Sequence, residues 1–174
     1  DFEGKIDVVK KSVYDTVYIT YQIKGKYVRI DEYDTKMKLI RSLIISPEDK
    51  KITALNPDKK LYTNIDPDSY NTGKCSNDFK IIKSGNYRYI KGLKCYQIRV
   101  GSASQNTEIA YWVSENNFKY FEELLTSWNN QNKDFSFFLS LYQMNGFVPE
   151  LCEERTLMRT EKSSMAVMDI DILK

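Results

Sequence analysis

Whatever chemistry this chain performs must come from carboxylates, thiols, amines and hydroxyls, because it contains no histidine. Without imidazole it has no side chain that titrates unaided near neutral pH. It also has no Ser-His or Cys-His nucleophile pair and no zinc site of the kind that needs a ring nitrogen. The crowded carboxylates are Glu122 with Glu123, and Glu150 with Glu153 and Glu154. Adjacent glutamates on a helix point to different sides, and neighbours on a strand point to opposite faces, so neither Glu122-Glu123 nor Glu153-Glu154 forms an acid-base pair. A solvated helix flank explains Glu122 and Glu123 better, and the reading is a protein that is not an enzyme, with no catalytic residue. Cys75, Cys95 and Cys152 match no CxxC motif, which argues against a metal or cofactor site. They leave open buried thiols or one disulfide in any of three pairings.

The elements that must position these groups are mostly strands. Val17, Ile19, Tyr21 and Ile23 share one parity, and Tyr18, Thr20, Gln22 and Lys24 the other, as in a strand with one face on a core. Gly25-Lys26 turns the chain into a return strand in which Val28 and Ile30 alternate with Arg29 and Asp31. A strand over 39–45 follows, its buried face undecided. Ser46-Pro47-Glu48-Asp49-Lys50-Lys51 is echoed by Asn56-Pro57-Asp58-Lys59-Lys60. In each copy proline presets a turn, and Lys-Lys opens a short strand. The lysine pairs could form an anion patch, but solvated strand starts are the simpler reading. Residues 66–78 are rich in turn formers and read as a long loop. Strands resume at 79–84 and 87–90, turn at Lys91-Gly92, continue through Tyr96, Ile98 and Val100, and recur at 108–113.

The period then changes. Phe118, Phe121, Leu125 and Trp128 fall on one helical face after Ser114, a candidate N-cap. A second helical run spans 135–142. The spans 147–161 and 165–173 predict two closing strands around a turn at Lys162-Ser163-Ser164, with Ala166, Met168, Ile170 and Ile172 on one parity. The expectation is a single domain over 1–174: a strand meander over 1–113, a helical lid over 114–145 and closing strands over 147–174.

With 26 basic and 24 acidic residues the net charge is +2, which supplies no field for gathering polyanions, so nucleic acid is not an expected partner. Apolar stretches such as Leu43 to Ile45 and Phe137 to Leu139 are three residues long, far short of a membrane helix. No transmembrane segment is expected; peripheral or lipid-anchored association stays open. The start at Asp1, close to a strand pattern and without a leader, is compatible with export.

A broad antiparallel sheet twists and curls, leaving a concave apolar face that must be covered. Phe118, Phe121, Leu125 and Trp128 of the lid can pack on Ile19, Tyr21, Ile23, Val28 and Ile30, and these nine residues are the candidate ligand-binding set. An apolar, concave, shielded space suits an acyl chain; the alternative is a completely filled core.

Several segments resemble an exported family of unknown function: Phe2 to Ile6, Val17 to Ile30, the Pro-Asp-Lys-Lys unit at 57–60, Ile90 to Cys95, and Ala110-Tyr111-Trp112-Val113. That family is similar in turn to the periplasmic lipoprotein carriers of the LolA and LolB type. The resemblance implies a mainly β (α+β) fold, an unclosed β-barrel capped by helices. It also implies a non-enzymatic role in the periplasm or at the outer membrane, binding a lipid or another apolar ligand. Two long strands after the lid, and the lack of an identifiable membrane-inserting loop, depart from the carriers. The alternative function is a structural or interaction module with a filled core, which meets an envelope protein through an edge strand or the loop at 66–78, with tyrosines such as Tyr18, Tyr62, Tyr70 and Tyr87 suited to an interface.

Overall fold

The computed structural model of the chain describes residues 3–65, 78–115 and 147–173. Among these residues eleven strands form one sheet: β1 (Gly4–Ser12), β2 (Thr16–Lys24), β3 (Tyr27–Tyr33), β4 (Leu39–Ser46), β5 (Lys51–Asn56), β6 (Leu61–Ile65), β7 (Phe79–Ile90), β8 (Leu93–Ser102), β9 (Thr107–Glu115), β10 (Phe147–Arg155) and β11 (Glu161–Ile172). Among the described residues there is no helix. The strand order is β6-β5-β4-β3-β2-β1-β11-β10-β9-β8-β7, with β6 and β7 at the two edges, so the sheet is unclosed. All its pairings are antiparallel. Two meanders are thus joined at the centre by β1 against β11, the first strand and the last.

The repeated proline units are repeated turns. Lys50 N donates to Pro47 O and Lys60 N to Pro57 O, both at 3.2 Å, and Lys50 and Lys60 take φ of 49° and 52°. Gly25 (φ 53°) and the pair Lys91-Gly92 (φ 49° and 81°) make the expected β2–β3 and β7–β8 turns with a left-handed backbone. At the β7–β8 corner, Lys91 Nζ donates to Met168 O on β11. Three strand spacings separate β8 from β11, about 14 Å in a flat sheet, so the sheet is strongly bent there.

One parity of every central strand faces the core. Ile52, Ile45, Val28 and Ile23 form one cross-strand row, and Leu43, Ile30, Tyr21 and Ile6 the next. Met165, Cys152, Tyr111 and Ile98 continue the face across the second meander, and all these residues belong to one buried apolar cluster. The undecided strand β4 turns Leu43 and Ile45 inward, at 3% and 0% exposure.

Four expectations are corrected. The segments 79–84 and 87–90 are one strand, β7, with an irregularity between Lys83 and Tyr87. Ser114 lies in β9, so the strand runs past the expected N-cap. The last turn falls at Thr156 to Thr160, where Arg159 N donates to Thr156 O at 2.8 Å, while Lys162, Ser163 and Ser164 belong to β11. Finally, Met165 and Val167 are the buried residues of β11, whereas Met168 is 42% exposed. A register shift opposite Asp7 and Val8 moves the parity, returning Ile170 to the core side beside Ile6. The expected loop at 66–77, the helical runs within 116–146, Tyr70 and Cys75 lie outside the described residues.

Candidate functional site

The sheet half of the candidate set is brought together by β2 and β3. Tyr21 lies opposite Ile30, Ile23 opposite Val28, and Ile19 between Val8 and Glu32. Their exposures run from 1% at Ile30 to 9% at Tyr21. Burial also pushes the Tyr21 hydroxyl above its usual pKa range. The lid half, Phe118, Phe121, Leu125 and Trp128, lies outside the described residues, as do Glu122 and Glu123. Sequence reasoning missed the larger part of the apolar face, notably Ile6, Leu43, Ile45, Ile109, Tyr111, Val113 and Met165. Their parity was legible only once the register was known.

The two ends of this face differ chemically. At the end where β3 finishes and β4 starts, Arg41 and Glu32 form a two-bond ion pair at 2.6 and 3.0 Å. At the same end Glu154 accepts from Thr107 Oγ1 at 2.6 Å and Ser163 Oγ at 3.0 Å. These pairs close the apolar field with polar groups. Antiparallel order puts the Gly25 turn, the Lys91-Gly92 turn, and the departure of the chain at Glu115 and its return at Phe147 at the opposite end. There the face stays apolar through Ile23, Val28, Ile45 and Val113. It finishes in a rim formed by Tyr87, Tyr89 and Tyr96, which are 58%, 68% and 44% exposed. Lys94 Nζ sits 4.6 Å and 5.1 Å above the Tyr87 and Tyr96 rings, and Tyr87 meets Tyr89 edge to face at 6.3 Å.

On the other side of the second meander lies a small polar group. Ser114 Oγ donates to Glu150 Oε1 at 2.6 Å, and burial pushes the Glu150 carboxyl above the ordinary carboxylate range against that hydrogen bond. Trp112 Nε1 donates to Glu153 Oε2 at 3.2 Å, with the Arg88 guanidinium 4.0 Å above the indole. Cys95 is fully buried and its thiol is pushed up by burial first and then by Glu150. It is not joined to Cys152, which removes one of the three pairings. Glu153 and Glu154 turn to opposite faces, as strand alternation requires, and engage different partners. Among the described residues no group of three Cys, Asp or Glu could hold a metal ion, and no helix is long and apolar enough to cross a membrane.

The model of a family described as a domain of unknown function, DUF4412, matches residues 2–170. A search of curated proteins returns no match. Among solved structures, a provisionally assigned outer membrane lipoprotein-sorting protein domain from Vibrio parahaemolyticus is similar over 98% of this chain and 84% of its own, at 6% identity and a TM-score of 0.33. A DUF1329 family protein from Desulfovibrio piger is similar over 98% of this chain and 86% of its own, at 8% identity and a TM-score of 0.34. The expected membership of a family of unknown function is thus shown, and a lipoprotein-sorting domain is among the similar structures.

Proposed function

The chain belongs to the DUF4412 family of domains of unknown function, and from there we propose that it is a non-enzymatic cell-envelope protein that holds a lipid or another apolar ligand in the hollow of its bent sheet. The observation that supports this reading is the one-ended apolar face. Polar pairs close it at Glu32-Arg41 and Thr107-Glu154, while the opposite end runs apolar to a tyrosine rim. A ligand entering past Tyr87, Tyr89 and Tyr96 meets aromatic rings with polar tips first and aliphatic side chains after, the order in which an acyl chain leaves water. Each Å² of apolar surface it buries contributes about 25 cal/mol. The periplasm or the outer membrane, reached by export, is the setting that belongs to this role.

The uncharged apolar fluorophore N-phenylnaphthylamine tests the reading. We expect saturable fluorescence enhancement with the intact chain and roughly tenfold weaker binding after Tyr96→Glu, a substitution at an exposed position. No enhancement with the intact chain, or equal binding by both proteins, contradicts it.

A second reading is favoured by the strand β6, whose Leu61 and Tyr62 are 61% and 75% exposed on an edge with no further strand among the described residues. An exposed edge of this kind accepts a strand from a partner. In that case the interior is filled and the fluorophore does not bind.

A further inference from the structure

On the side of the sheet opposite the core, one cross-strand row runs Asp171, Lys5, Gln22, Arg29 and Ile44 over β11, β1, β2, β3 and β4. With Lys24, Tyr27 and Leu173 this row lines an open pocket of about 700 Å³, inside the range of small-molecule sites. Its chemistry is divided. Ile44, the Tyr27 ring and Leu173 offer apolar surface. Lys24 has no ion-pair partner among the described residues. Arg29 gives its Nε to the buried carboxylate of Asp31 at 2.8 Å, which leaves both Nη groups without a partner there. Lys5 is held by Asp7 at 2.6 Å. The one carboxylate on the lining is Asp171. Glu3, nearby, spends one oxygen on Gly25 N at 2.8 Å.

Asp7 and Asp31 engage Lys5 and the Nε of Arg29, so what the pocket offers a ligand is the Lys24 ammonium and the two Nη groups of Arg29 beside apolar walls, which fit a molecule with a negative head and a hydrocarbon tail. We propose that this pocket binds an anionic amphiphile, its phosphate or carboxylate between Lys24 and Arg29 and its single acyl chain along Ile44, Tyr27 and Leu173. The Nη pair of Arg29 suits two oxygens of one head, and Lys24 adds a point charge. The site lies across the sheet from the buried apolar face and is independent of the proposed hollow, so a neutral ligand held there does not require these cations.

Isothermal titration with dodecyl phosphate, dodecyl maltoside below its micelle concentration, and inorganic phosphate tests the assignment, with urea midpoints confirming that each variant is folded. The intact chain should bind dodecyl phosphate at least tenfold more tightly than either of the other two. Lys24→Gln should weaken dodecyl phosphate by about tenfold and leave N-phenylnaphthylamine binding unchanged. Arg29→Lys, which keeps a cation for Asp31 but removes the fork, should weaken it by several-fold. Leu173→Ser should weaken dodecyl phosphate without affecting inorganic phosphate. The assignment is overturned if dodecyl phosphate does not bind. Maltoside binding equally well, which marks a plain apolar surface, overturns it too, as does inorganic phosphate binding equally well, which marks an ion site alone. It also falls if Lys24→Gln binds dodecyl phosphate like the intact chain. Loss of the fluorophore alone counts against the hollow and leaves this pocket standing.

Discussion

Glu150 is 1% exposed and, among the described residues, is met by one side-chain hydrogen bond, from Ser114. Burial outweighs that bond and raises its pKa, so the native state favours the neutral acid more than the unfolded chain does. The stability contributed by the proton is therefore fully present below the ordinary carboxylate pKa and is lost as the pH rises through the higher native value. Glu150→Gln keeps a hydrogen-bonding partner for Ser114 and removes the charge. It should stabilise the protein at pH 7 by about 1 kcal/mol and by much less near pH 4, as measured by urea unfolding at both values. Equal effects at the two pH values, or destabilisation at pH 7, contradict this account. The Ser114–Glu150 pair was not legible in the sequence, because Ser114 precedes a helix-periodic run and reads as a cap, and because a separation of 36 residues gives no local signal. The opposite facing of Glu153 and Glu154 was legible, since strand alternation alone decides it.

At the scale of the element, the turns carry most of what sequence could reveal. Gly25 sits at φ 53° with open space around its Cα, so an added Cβ meets only backbone strain. Gly25→Ala should cost about 1 kcal/mol. Gly85, in the exposed part of β7, has open space and no positive φ, and Gly85→Ala should be neutral or stabilising by about 0.5 kcal/mol. Thermal unfolding of the two variants checks the contrast; the same sign for both contradicts it. Glycine and proline announced the turns at Gly25, Pro47, Pro57 and Gly92. The turn before β11 was hidden because its left-handed position is Arg159, at φ 66°, a residue type that signals no turn. Lys162-Ser163-Ser164 has turn-like composition, yet Ser163 pairs in the ladder with Glu154 and Ser12, and Ser164 with Glu153 and Lys11. The parity of β2 and β3 could be read because neither carries an irregularity across their mutual pairing. That of β11 could not, because the register shift against β1 lies in its middle.

For the whole molecule, the decisive feature is that β1 and β11 pair at the centre of an open sheet. The first and last described residues are thereby held together, with Leu173 N donating to Glu3 O at 2.9 Å, and two meanders share one apolar face. A face this broad in a single sheet stays dry only where the sheet bends over it or something else covers it. In the proposed role a ligand shares that cover, and it stabilises the folded chain in proportion to the logarithm of its concentration. The most direct test is native mass spectrometry of the protein purified without detergent, followed by organic extraction of the same sample. The account predicts a bound species of lipid mass that is released by extraction and restored on incubation with lipid. A chain of bare polypeptide mass, unchanged after incubation with lipid, contradicts it.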